Sequence, residues 1–76
     1  MIAYCWQSGQ IEIGRELPQG ALPLLTGTRK HLENRIESTA TLAYDNKTWL
    51  VPGVRSAEKA EDKVQAVIEY VKFIGK

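Results

Sequence analysis

Sulfur and imidazole are scarce in this chain: one cysteine (Cys5), one methionine and one histidine (His31) among 76 residues. A lone cysteine cannot form an internal disulfide, and one Cys with one His is too little for a structural zinc site without several carboxylates. Small secreted domains usually need disulfide staples, so a reducing cytoplasm is the expected compartment. An excess of charge is missing as well. Ten basic and nine acidic side chains leave a net charge of +1, which gives no general attraction to nucleic acid or to an anionic membrane. No apolar run approaches the roughly 20 residues of a membrane helix. The segment MIAYCWQSGQIEIG lacks the basic region and long apolar core of a signal peptide. Repeats, linkers, low-complexity tracts and a Gly-rich nucleotide loop are absent too. The expectation is one small soluble domain near the lower size limit for a self-sufficient core.

What is present is organised around the end of the chain. From Ser56 to Ile74, the residues Ala60, Val64, Val67, Ile68, Val71 and Ile74 recur at helical spacing and predict one amphipathic helix. Ser56 is placed to cap it, Glu58, Glu61 and Asp62 lie in its first turns, and Lys72 and Lys76 lie at its far end. Those charges suit the helix dipole, and Gly75 is a natural stop. Such a stripe needs a matching apolar surface from the rest of the chain.

Ile2 to Glu16 reads as a β-hairpin. A two-residue loop at Ser8-Gly9 pairs Trp6 with Ile11 and Tyr4 with Ile13, which gathers the large apolar groups on one face. Ala3 and Cys5 then point the other way. Pro18-Gln19-Gly20 predicts a turn, and Ala21 to Leu25, interrupted by Pro23, reads as a buried extended connection covering a sheet edge. Thr28 caps a helix over about Arg29 to Ala43 with Leu32, Ile36, Thr39 and Ala43 on one face; a rival reading makes Thr39 to Val51 a second hairpin around Asp45-Asn46. Lys47 to Val51 is a strand stopped by Pro52-Gly53. The order ββαβα predicts a two-layer α+β domain. Its second and third strands run parallel across a helical crossover, and the three-stranded antiparallel sheet has order 2-1-3. Both helices cover the Tyr4/Trp6/Ile11/Ile13 face.

Two groups of residues are candidates for a site. Thr28, Arg29, Lys30 and His31 place basic groups where the helix dipole is already positive, which suits a phosphate or carboxylate; the bland alternative is a solvated first turn with Arg29 paired to Glu33. Ala3, Cys5, Trp49 and Val51 form an apolar patch if Leu50 faces the helices, and such a patch suits a protein contact or self-association. If Trp49 is core, that patch does not exist. Stacking of bases on Trp49 would need more aromatics and flanking cations than the strand offers. Cys5 and His31 fall on opposite sides of the predicted sheet, so a thiol–imidazole catalytic pair is not expected.

The segments IAYCWQSGQIEIG and AYDNKTWLVPGV, with the amphipathic end, resemble small phage and prophage proteins, some loosely labelled host-nuclease inhibitors of Mu-like phages. The resemblance lies in length and layout and contains no diagnostic motif. It implies a small cytoplasmic accessory protein that binds a host component; the expected role is non-enzymatic, without a cofactor, through contact with a host or phage protein or self-association. The alternative is a nucleic-acid or phosphate-ligand binder using the basic start of the first helix.

Overall fold

The computed structural model describes residues 1–39, 48–54 and 56–75. Its elements are β1 (Ile2–Cys5), β2 (Gln10–Gly14), β3 (Leu22–Thr26), α1 (Arg29–Thr39), β4 (Trp49–Leu50) and α2 (Ala60–Ile74). They form an α+β fold with a four-stranded sheet of order β3-β1-β2-β4 in which every neighbouring pair is antiparallel.

The hairpin register decides which side chains become core. Cys5 pairs with Ile11, Tyr4 with Glu12 and Ala3 with Ile13, one residue away from the expected pairing. The connection is a three-residue loop: the Gly9 amide donates to the Trp6 carbonyl and the Trp6 amide to the Gln10 carbonyl, both at 2.9 Å. Gly9 sits at φ +89°, the left-handed position that follows a type I turn in such loops. A two-residue loop at Ser8-Gly9 would instead push Ser8 to positive φ, because the glycine is the second central residue. Backbone cost at one serine therefore outweighs the pairing of large side chains. Ala3, Cys5, Ile11 and Ile13 turn to the core, and Tyr4, Trp6 and Glu12 turn away.

Sheet order also departs from 2-1-3, and three strands become four. β3 takes the free edge of β1, pairing Leu22 with Cys5 and Thr26 with Ile2, with an irregularity between Ala3 and Tyr4. Pro23 is tolerated there because an edge strand needs no amide on its outer side. With β1 flanked on both sides, the last strand docks against β2, placing Trp49 opposite Ile11, and the expected parallel crossover does not form. The Val51 amide donates to the Gly9 carbonyl at 2.7 Å, which ties the strand's exit to the hairpin turn. Pro52-Gly53 then reverses the chain as expected: Gly53 has φ +86°, and the Val54 amide donates to the Val51 carbonyl at 3.3 Å, as in a type II turn.

Thr28 caps α1 as expected, its Oγ1 accepting from the His31 amide at 3.2 Å. The described helix ends at Thr39. Ala40 to Ala43, and the rival hairpin around Asp45-Asn46, lie outside the described residues. α2 starts four residues later than Ser56: Lys59 occupies the cap position without a side-chain bond, and the Ser56 hydroxyl donates instead to the Gly53 carbonyl. Glu61 and Asp62 in its first turn and Lys72 in its last suit the dipole. Gly75 ends it, its amide still donating to the Val71 carbonyl.

Both helices bury their inner side chains in one cluster with the sheet: Leu32 and Ile36 from α1, and Val67, Tyr70 and Ile74 from α2. The centre of the α2 face is thus rotated from the expected stripe toward Tyr70. Val64 and Ile68 are left 47% and 41% exposed. An Arg35 side-chain nitrogen donates to the Ile74 carbonyl, joining α1 to the last turn of α2, where the dipole favours a cation.

These burials order three substitutions. Val67→Asp places an unpaired charge in the core and should remove most of a stability that is typically about 5–15 kcal/mol for domains. Trp49→Ser should cost about 3–5 kcal/mol. Ile68→Asp, on the exposed flank, should stay within about 1 kcal/mol of the parent. Thermal melting of the three variants checks the order, and a Trp49→Ser variant that melts with the parent would contradict the register.

Two glycines with the same dihedral should behave differently. A Cβ on Gly9 would lie 2.8 Å from the Val54 side chain, whereas one on Gly20 meets nothing within 4 Å, and both have φ +89°. Gly20→Ala should cost roughly 1 kcal/mol from backbone conformation alone. Gly9→Ala should cost at least about 1 kcal/mol more through the clash, read as the difference in urea midpoints.

Candidate functional site

The four residues expected to form an exposed patch do come together, but on the covered side of the sheet. Ala3 and Cys5 are fully buried, and Trp49 and Val51 are 1% and 2% exposed. The cause is the hairpin loop: with Cys5 opposite Ile11 and Ile11 opposite Trp49, all three point into the layer that the helices fill. Small side chains on β1 leave room there for the large indole of Trp49. This patch is core and offers no contact surface.

The other face of the sheet carries the aromatic pair. Tyr4 and Trp6 meet edge to face with centroids 5.8 Å apart, and Trp6 Nε1 donates to Glu12 Oε2 at 2.6 Å. Tyr4 also lies against Gly14, where a Cβ would come within 3.3 Å of the ring.

At the start of α1 the basic residues do not converge. The Thr28 hydroxyl is engaged as the cap. Arg29 reaches sideways, donating to the Ile13 carbonyl at 3.4 Å and lying 3.6 Å from Glu33, as in the bland alternative. Lys30 and His31 are exposed, and the His31 ring lies over Gly27, where a Cβ would meet it at 3.2 Å. Among the described residues, no group of three or more His, Cys, Asp or Glu side chains could hold a metal, and no helix is long and apolar enough to cross a membrane.

A different surface has the geometry of a contact site. Where the start of β3 approaches α2, Gln7, Leu22, Ala60, Lys63, Val64 and Val67 line a small groove whose walls are almost wholly apolar. Leu22 and Val64 on its rim are 42% and 47% exposed, and Ile68 continues the same flank one helical turn on. Sequence reasoning assigned Val64 and Ile68 to the core stripe and Leu22 to a buried connection. A signal was available: Ala60 to Ile74 carry more apolar residues than one buried face of a helix this short can hold. Knowing which flank stays out required Tyr70, a residue outside the stripe, to be recognised as core.

No protein-family model, curated protein or solved structure matches the chain.

Cys5 sits beneath this layer, where burial raises its thiol from 9.0 to about 11. Its reactivity is correspondingly low, since the thiolate is the nucleophile. In the native state the thiol keeps its proton over a pH range in which the unfolded chain has lost it. Stability should therefore be unaffected by Cys5 below about pH 9 and fall by about 2–3 kcal/mol as pH rises through about 11. Tyr70, raised mainly by burial, and Tyr4, raised by burial and then by the Glu12 charge, add in the same direction at higher pH. Urea midpoints across this range should fall less steeply in Cys5→Ala than in the parent.

Proposed function

We propose that this chain is a small protein-interaction module, an inhibitor or adaptor, whose contact surface is the apolar flank made by Leu22, Val64 and Ile68. The observation that carries this reading is the exposure of Leu22 and Val64 at an apolar groove, with Ile68 exposed one helical turn on, beside a core that already has Val67, Tyr70 and Ile74 from the same helix. An apolar cluster kept in water on a chain this small is disfavoured for solubility and is typical of a surface that another protein covers. The resemblance to phage and prophage accessory proteins and the cytoplasmic location expected from the cysteine content fit the same reading.

The phosphate or nucleic-acid alternative has less support, because the Thr28 hydroxyl and the Arg29 guanidinium are already engaged within the fold. Salt separates the two. Apolar contact persists at high ionic strength, whereas phosphate binding weakens steeply. Proteins retained by the immobilised chain should resist salt and be lost on Val64→Glu, a variant expected to melt within about 1 kcal/mol of the parent. Retention that survives Val64→Glu but disappears in Arg29→Ala/Lys30→Ala at moderate salt would instead support the basic helix start.

A further inference from the structure

The flank described above carries its own complement. Along the exposed side of α2 the order is Glu61, Val64, Ile68 and Lys72, an acid three residues before the apolar pair and a base four residues after it. On a helix these positions form one continuous outer row. Read in the opposite direction, the row presents a base, two aliphatics and an acid. Shape follows the same rule: the groove lies at the Leu22/Ala60/Val64 end, while Ile68 projects one turn further along.

We infer that the occupant of this flank is a second copy of the same chain, joined through α2 packed antiparallel against its equivalent across a two-fold axis. The inference rests on the reading of this flank as a protein contact. In that arrangement Val64 of each copy meets Ile68 of the other, each Ile68 enters the groove bounded by Leu22 and Ala60, and each Glu61 faces the other copy's Lys72. A two-fold interface requires one surface to be complementary to itself, which this row satisfies in both charge and shape. A parallel pairing would set Glu61 against Glu61 and Lys72 against Lys72.

Sedimentation equilibrium of the full chain, from micromolar to near-millimolar concentration at low salt, tests this. A reversible monomer–dimer equilibrium is expected. Ile68→Glu should be monomeric and should melt as the parent does at concentrations where the parent is itself monomeric. Glu61→Lys and Lys72→Glu should each weaken dimerisation by roughly tenfold, because every substitution counts twice in a symmetric pair. The double exchange Glu61→Lys/Lys72→Glu should restore the parent affinity, and high salt should shrink the charge effects while leaving that of Ile68→Glu. A chain that stays monomeric throughout, a dimer indifferent to Ile68→Glu, or a double exchange that fails to restore association would overturn the second-copy occupant. A monomeric chain whose salt-resistant protein capture is still lost in Val64→Glu overturns only that occupant and keeps the apolar flank as a contact for another protein. A monomeric chain whose capture survives Val64→Glu overturns both.

Discussion

The rest of the structure depends on the three-residue turn at Gln7-Ser8-Gly9. Gly9 alone takes the left-handed conformation there, its carbonyl receives the Val51 amide, and Val54 packs where a Cβ on Gly9 would stand. One residue thus closes the first hairpin, anchors the exit of the last strand and supports the turn that leads to α2. Because strand side chains alternate, the length of this turn also decides the fate of every residue in β1 and β2. A loop shorter by one residue would turn Tyr4 and Trp6 inward, where Ala3 and Cys5 now let the helices approach.

Much of the fold was legible because it rests on local chemistry. Thr28 caps a helix, Arg29 pairs with Glu33, Pro52-Gly53 ends a strand and Gly75 ends α2, each within a turn or two of sequence. Faces and neighbours were less legible, because they follow from comparisons between distant segments. The expected hairpin register weighed the pairing of large side chains and left out the conformational demand on Ser8. Pro23 interrupts the apolar run of Ala21 to Leu25 and predicts a connection in place of a strand, although an edge position tolerates it. Once β3 occupies the edge of β1, the sheet order 2-1-3 is closed off, and β4 has only β2 left to join.

The candidate surface moved for the same reason. Placing Trp49 opposite Ile11 converts the expected patch of Ala3, Cys5, Trp49 and Val51 into part of the core. That core already holds a full indole, and α2 completes it with Val67, Tyr70 and Ile74, flanked by Ala66 and Val71. The aliphatics left over on α2 become surface. The exposed apolar surface is thereby shifted from the sheet to the helix, by an arrangement inside the domain.

The bond from Arg35 to the Ile74 carbonyl divides the burden between the two helices unequally. Its acceptor is main chain, so any residue at 74 that keeps the helical backbone in place retains the acceptor; only volume at that core position is constrained. Its donor is a particular side chain of particular length, part-buried at its destination. Variation at 35 therefore breaks a link that no compensating side chain at 74 can restore. The last turn of α2 is thus held by a side chain 39 residues away in sequence.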